Sequence, residues 1–219
     1  MATRSMNFSL GEFYHIYNRG TDKRDIFLDN DDMDRFIKLL FVANGTKPFV
    51  FREFPIGLPY VEFERGEEIT SIGAYCLMTN HFHILVKETD EGGISKFISR
   101  VLTSYSSYFN KKYKRTGRLF EGTFKATCVD NDEYLKYLFA YIHINPIKII
   151  DSKWKENRIS DFNRARKYVE SYGYSSYLDY AGVDRKEKKI LDKKAFPEYF
   201  ENQNNFKWYV DEWLSYSDG

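Results

Sequence analysis

The sequence predicts an α+β protein, in which helices pack on an antiparallel sheet. A hydrophobic content of 42% beside 30% charged residues supports a folded core. Segments with the two-residue period of strands alternate with segments of helical period, in the order β-α-(β)-β-β-α-β-α. Two of the strand-like runs are separated only by Thr79-Asn80. This spacing predicts a tight hairpin and therefore antiparallel pairing.

The first half of the chain predicts a strand, a helix, an insertion and the hairpin. FYHIYNRG, residues 13–20, alternates in the manner of a strand and ends at a glycine. Residues 29–44 predict a helix, because the first turn is rich in acids and apolar residues recur at helical spacing. Residues 47–68 hold short apolar runs broken by proline and glycine, which indicates a strand or loop insertion. TSIGAYCLM and HFHILVKE then form the two strands of the hairpin.

The second half predicts a helix, a strand and a further helix. An apolar face at helical spacing predicts a helix over 95–113. The β-prone run RLFEGTFKATCVD predicts a strand over 118–130. Residues 132–145 predict a helix that ends at Pro146, because proline disfavours helical geometry in the residue before it.

Length and composition exclude several classes of protein. The 219 residues suit one core, predicted over 1–150, and a mostly helical C-terminal extension over 151–219 with an exposed linker at 184–194. No apolar run reaches the roughly 18 residues of a membrane span. The N-terminal MATRSMNFSL has no apolar signal core. Cys76 and Cys128 form no disulfide or metal pattern, which predicts a location in a reducing cytoplasm.

The distribution of charge is more informative than the net charge of +1. Between residues 100 and 125, seven basic residues stand against one acidic residue. A basic block beside aromatic residues is typical of nucleic-acid binding, and the alternative is a solvated helix end and loop. Asn18 and Arg19 close the first strand, where an arginine suits a phosphate. The candidate DNA-binding residues are Asn18, Arg19, Lys112, Arg115, Arg118 and Lys125.

Two of the four histidines, His81 and His83, lie two apart in a predicted strand. Side chains at this spacing point to the same face, roughly 6.5–7 Å apart along the strand. Two imidazoles so placed can converge on one metal ion. The alternative is a pair of partly buried strand histidines whose hydrogen bonds are satisfied.

A metal site needs a third ligand, and the helix predicted at 132–145 offers one. Tyr141 and Asn145 are four residues apart, so they share a helix face if the helix runs that far. The amide oxygen of Asn145 suits a hard cation. The Tyr141 hydroxyl, one turn away, would then point at a group held by the ion. A divalent cation can polarise a phosphodiester, and attack by a tyrosine would give a covalent intermediate.

Four blocks of sequence resemble a known family. They are HIYNRG at 15–20, MTNHFHILV at 78–86, RTGRLFEGTFKA at 115–126 and YIHINP at 141–146. In order and spacing they are similar to the HUH-type single-tyrosine transposases of the insertion-sequence-200 kind, and within these to the REP-associated tyrosine transposases. The turn before the first histidine is commonly Pro-Asn in this family, whereas here it is Thr79-Asn80.

The resemblance implies a fold, an activity and a set of site residues. The fold would be a ferredoxin-like α+β core. The activity would be metal-dependent cleavage and transfer of single-stranded or hairpin DNA through a covalent 5′-phosphotyrosine. His81, His83 and Asn145 would bind the divalent cation, Mg²⁺ or Mn²⁺, and Tyr141 would be the nucleophile. We also expect a bacterial, nucleoid-associated protein that acts as a monomer or homodimer.

Two other functions fit the same residues. The first is a non-catalytic DNA- or RNA-binding regulatory module, whose aromatic residues would stack on bases. The presence of every expected catalytic residue type argues against it. The second is a structural domain stabilised by a metal ion. Among the remaining candidates, we predict that His15 is a histidine of the sheet, that Tyr134 has a packing role, and that His143 is structural or faces DNA.

Overall fold

The computed structural model describes residues 7–50 and 59–215, and its centre is a four-stranded antiparallel sheet. The strands are β1 (Phe13–Arg19), β2 (Thr70–Met78), β3 (His81–Glu88) and β4 (Lys125–Val129). They lie in the order β2-β3-β1-β4, so β3 and β1 are the two central strands. This is the strand order of a ferredoxin-like fold, and the predicted α+β class is confirmed.

Two helices cover one face of the sheet. They are α1 (Asn30–Val42) and α2 (Gly93–Lys112), and they bring Phe36 and Tyr105 onto the strands. Phe82 of β3 points into this layer, with its ring centroid 5.0 Å from that of Phe36. Aromatic pairs at this distance add to the stabilisation that burial already provides. This core therefore buries one face of β3, and the histidines of β3 project from the opposite face.

The opposite face of the sheet is covered by α3 (Asp132–Ile144). The helix begins where the side chain of Asn131 accepts a hydrogen bond from the Tyr134 backbone N–H, at 2.7 Å. Such a cap satisfies one of the N–H groups that have no partner inside the helix. Leu138 and Ile142 bury themselves against the second face of β2 and β3. The buried apolar residues of α3 thus hold the other residues of this helix over that face of the sheet.

The C-terminal part of the chain packs on α3 and on the free edge of β2. Its helices are α4 (Ile147–Ile150), α5 (Trp154–Asn157), α6 (Phe162–Ser171), α7 (Tyr177–Tyr180) and α8 (Gln203–Ser215). Cys76 of β2 pairs with Ser175 in an isolated antiparallel bridge, which covers an edge that would otherwise be open. The extension is therefore mostly helical, as predicted, and continues the core. The division at residue 150 remains a prediction.

Three local predictions differ from the structure or fall partly outside it. The strand predicted at 118–130 is shorter, since residues 118–124 contribute only an isolated bridge between Phe120 and Gly20. In the predicted insertion, residues 51–58 lie outside the described residues, and the described residues 59–68 form a single 3₁₀ turn at Tyr60–Glu62 with no strand. The prediction of an exposed linker at 184–194 is wrong, because Ile190 in this segment is fully buried. Within the described residues, no helix has the length and apolar character to cross a membrane.

Candidate metal and nucleophile site

The histidine pair lies on the face of the sheet that α3 covers. His81 and His83 alternate with buried Phe82 along β3, so both imidazoles project from the side opposite the Phe82 core. Their ring centroids are 5.0 Å apart and the rings are perpendicular. Because β3 is a central strand, hydrogen bonds from both of its neighbours fix its position. The structure thus brings the two predicted ligands together on a rigid element.

Strand β1 adds a third histidine to the same face. His15 is buried, and its Nε2 lies 2.9 Å from Nδ1 of His83 in a hydrogen bond. Tyr17 is the direct cross-strand partner of His83, with ring centroids 6.0 Å apart. His15 is indeed a histidine of the sheet, as predicted, but it also contacts the candidate site.

Burial keeps the imidazoles of His15 and His81 uncharged. Desolvation lowers the pKa of His15 to about 4. The pKa of His81 is also lowered to about 4, first by desolvation and then by the positive charges of Lys148 and Arg19. Both rings are therefore neutral at physiological pH. A neutral imidazole is the form that binds a metal ion.

Helix α3 places Tyr141 over these rings. The centroid of Tyr141 is 5.6 Å from that of His83 and 5.9 Å from that of His15. The Tyr141 side chain is half-buried, and its pKa is raised mainly by this burial, while a hydrogen bond with Asn145 acts in the opposite direction. The hydroxyl is therefore protonated at neutral pH. It needs an electrophilic partner, or a group that takes its proton, to act as a nucleophile.

Asn145 lies at the C-terminal cap of α3, where the chain turns through Pro146. It is buried, and its Nδ2 donates a hydrogen bond to the carbonyl oxygen of Tyr141 at 2.6 Å. The amide oxygen is the atom that would bind a cation. Lys148 follows in α4, and its effect on the pKa of His81 places its charge on the His81 side of the site.

Two imidazoles and one amide oxygen fit a divalent cation that completes its coordination with water or substrate oxygens. Among residues 7–50 and 59–215, no three His, Cys, Asp or Glu side chains are grouped to hold a metal ion. The predicted set draws on only two such residues, His81 and His83, and takes its third donor from Asn145. The residues present are therefore compatible with the expected ion.

The predicted DNA-binding residues divide by their surroundings. Asn18 is buried, and its side-chain oxygen accepts a hydrogen bond from the Arg19 backbone at 2.9 Å. Arg19 is the cross-strand partner of His81 and forms an ion pair with Glu121. Arg19 thus carries a guanidinium to the edge of the candidate site.

The other four lie further along the basic block. The Lys112 amine is 2.8 Å from the buried carboxylate of Asp32, so this lysine joins α2 to α1. Arg115 lies over the ring of Phe109, 5.6 Å from its centroid. Arg118 and Lys125 are exposed. Their contacts with DNA remain predictions.

Several neighbours of the site carried no clear signal in the sequence. Tyr17 shares the alternation of β1 with His15, but only the register between β1 and β3 places it beside His83. Trp213 of α8 lies against Tyr137, with centroids 4.6 Å apart, and Tyr137 in turn contacts Tyr141. A contact between elements so far apart in sequence leaves no local pattern.

Comparisons with known proteins identify a family and a similar fold. Residues 64–145 match the family of IS200-like transposases, a stretch that includes both histidines, the tyrosine and Asn145. The predicted resemblance to this family is therefore confirmed.

Among solved structures, the chain is similar to a REP-associated tyrosine transposase bound to a REP hairpin. The two are 14% identical with a TM-score of 0.50, and the match covers 92% of this chain and 100% of the other. At this identity the likeness establishes the fold. No protein of curated function matches the sequence.

Proposed function

We propose that the protein is a metal-dependent single-stranded DNA endonuclease and strand transferase that uses Tyr141 as its nucleophile. The observation that carries this proposal is the position of Tyr141 on α3, with its ring 5.6 Å from that of His83. The match of residues 64–145 to IS200-like transposases supports the reaction class. The similar solved protein holds a REP hairpin, which supports hairpin-containing DNA as the partner.

The reaction follows from the chemistry of a phenol and a phosphodiester. The Tyr141 oxygen bonds to the phosphorus and the bond from phosphorus to the 3′ oxygen breaks. The proton lost by Tyr141 is balanced by the proton gained by the departing 3′ hydroxyl. The product is a 5′-phosphotyrosine, and attack by another 3′ hydroxyl reverses the step and rejoins a strand.

His81, His83 and Asn145 would hold the divalent cation, Mg²⁺ or Mn²⁺. When bound, the cation polarises the phosphate and stabilises the charge that develops on it. The chain supplies the positioning. Burial in the hairpin and under α3 fixes the orientation of the imidazoles. The hydrogen bond from the Asn145 side chain to the Tyr141 carbonyl fixes Asn145, the proposed third ligand, relative to the helix turn that carries Tyr141.

Arg19 extends this site toward the DNA backbone. Its guanidinium lies across from His81, where it can bind a phosphate with two parallel hydrogen bonds. Glu121 holds the guanidinium in the free protein. We therefore propose that Arg19 binds a backbone phosphate of the DNA.

A covalent-adduct assay tests the proposal. A labelled hairpin oligonucleotide with single-stranded flanks is incubated with the protein and Mn²⁺, and a labelled species that survives denaturing electrophoresis marks the adduct. We expect adduct with the wild type and with Tyr134→Phe, and none with Tyr141→Phe. Tyr134 is the matched control, since it lies on the same side of α3 two turns earlier.

The binding of the same oligonucleotide separates this function from its rival. Tyr141→Phe should bind the DNA as the wild type does, because it removes only one oxygen. DNA binding by the wild type without an adduct under Mg²⁺ or Mn²⁺ would refute catalysis and favour a regulatory DNA-binding module. Sedimentation of the protein with and without DNA would decide between a monomer and a homodimer.

A further inference from the structure

We propose that Asn80 and His15 are positioning residues that fix the tautomers of His81 and His83, so that both histidines present Nε2 to the cation. This inference rests on the proposed function, because it names how the same metal site is prepared. The observation behind it is that each histidine has its Nδ1 engaged by a neighbouring side chain. A side chain that hydrogen-bonds the other nitrogen of a ligating imidazole orients the ring and sets its basicity.

The orientation of Asn80 settles the tautomer of His81. Nδ2 of Asn80 donates a hydrogen bond to the Lys23 carbonyl at 3.1 Å, so Oδ1 is the atom that faces His81. Oδ1 lies 2.6 Å from Nδ1 of His81. An amide oxygen can only accept a hydrogen bond, so Nδ1 of His81 must carry the proton. Nε2 of His81 then has its lone pair available.

The backbone around Asn80 is fixed in turn by the segment that follows β1. The Asn80 carbonyl accepts a hydrogen bond from the Gly20 N–H at 2.9 Å. The Thr79 carbonyl accepts two more, from Ile26 and Phe27, at 2.9 and 3.1 Å. The turn is therefore tied to the loop rather than free to rotate. None of these contacts uses the Thr79 side chain.

His15 has the corresponding role for His83. Nε2 of His15 and Nδ1 of His83 are 2.9 Å apart, and both residues are buried. The ring centroids are 5.0 Å apart and the ring planes are inclined by 25°. The hydrogen bond therefore joins the edges of the two rings. One ring must donate and the other accept. If His83 donates from Nδ1, its Nε2 is free of a proton and matches the state of His81.

The consequence is a pair of ligands prepared in the same state before any ion arrives. In water, an imidazole exchanges between its tautomers, and a ligand in the wrong tautomer must first exchange its proton. Loss of a side chain that hydrogen-bonds a ligating imidazole typically weakens metal binding by about 10- to 100-fold. We expect a loss of that size when the acceptor is removed, and recovery when a different acceptor replaces it.

Metal binding without DNA tests this inference. Mn²⁺ affinity is measured by calorimetry on the intact protein for His15→Leu and its matched variant His15→Gln, and for Asn80→Ala and its matched variant Asn80→Asp. We expect about 10- to 100-fold weaker binding for His15→Leu and Asn80→Ala, and affinity within about threefold of the wild type for the two acceptor-retaining variants. Thermal unfolding of each variant shows whether it is folded.

The possible outcomes separate the inference from the proposed function. A wild type that binds no Mn²⁺ would contradict the metal site of the proposed function itself. A wild type that binds Mn²⁺, together with a folded His15→Leu of equal affinity, would overturn only the inference. Equal losses in His15→Leu and His15→Gln would also overturn it, since the acceptor would then have no effect.

A second measurement does not depend on any variant or ion. Long-range nitrogen-proton NMR correlations on the metal-free wild type report which nitrogen of each imidazole carries the proton. The chain has only four histidines, so the spectrum is simple. We expect the proton on Nδ1 in both His81 and His83. A proton on Nε2 of either ring would refute the assignment.

Discussion

Replacing Ser176 with alanine tests how the C-terminal extension holds α3, the helix that carries Tyr141. Ser176 is fully buried between β2 and α3. Its Oγ accepts a hydrogen bond from the Tyr75 N–H of β2 at 2.9 Å and lies 2.7 Å from Nε2 of His143 in α3. His143 is two residues from Tyr141 and is also fully buried, so its predicted structural role fits these contacts while a DNA-facing role does not. One hydroxyl thus joins the sheet, the extension and α3.

The expected cost follows from the groups left behind. In Ser176→Ala, the Tyr75 N–H and one nitrogen of His143 lose their partner in the interior. Each buried polar group without a hydrogen bond costs about 1–3 kcal/mol. Because the two groups share one site and relax together, we expect a total loss of about 2–4 kcal/mol. That is a large part of the roughly 5–15 kcal/mol that stabilises a typical domain.

Equilibrium unfolding in urea measures this loss. Ser171→Ala is the matched control, since the Ser171 hydroxyl is exposed and donates a hydrogen bond to the Tyr168 carbonyl, at 3.1 Å. The control should change the free energy of unfolding by less than about 0.5 kcal/mol. A loss below about 1 kcal/mol in Ser176→Ala would refute the reasoning, because water or a rearranged backbone would then replace the hydroxyl.

Three further predictions concern the scaffold of the site. Phe82→Ala should lower the free energy of unfolding by about 3–5 kcal/mol in urea, because Phe82 is fully buried against Phe36; a loss under 1 kcal/mol would contradict its anchoring role. Asn131→Ala should cost about 1 kcal/mol and speed hydrogen exchange at the capped amide of α3; unchanged exchange would contradict the cap. A hydrogen bond from Lys112 lowers the pKa of Asp29 in the folded protein. This hydrogen bond therefore stabilises the fold above the pKa that Asp29 has in the unfolded chain, and the stabilisation is lost as the pH falls through the lower pKa of the folded state. The stability difference between the wild type and Lys112→Met should therefore shrink below pH ~4, and a difference that is constant with pH would contradict it.

The sequence pattern predicted the fold because each strand and helix carries the spacing of apolar residues that its own structure requires. Two apolar runs within 70–88 and the two-residue turn between them defined the hairpin, and the helical spacing of apolar residues defined α1, α2 and α3. The pattern could not predict the start of β4, because pairing with β1 begins only at Lys125, opposite Tyr17. It also misjudged 184–194, because this charged segment buries Ile190 and binds Ser71 through Asp192. Those contacts depend on partners distant in sequence.

The same limit applies to the candidate site. Spacing along one strand and one helix identified His81, His83, Tyr141 and Asn145 as a set. His15 joins them only because β1 and β3 pair antiparallel in one particular register. A register shift by one residue would turn its side chain to the other face of the sheet. The local sequence could not reveal that contact.

The most direct test of the proposed function is to locate the covalent bond by mass spectrometry. The protein is incubated with Mn²⁺ and hairpin-containing single-stranded DNA, then treated with nuclease and protease. We predict a nucleotide joined through its 5′ phosphate to the peptide that contains Tyr141, and to no other tyrosine. A nucleotide on a different tyrosine, or DNA cleaved without any nucleotide on the protein, would contradict the assignment of Tyr141 as the nucleophile.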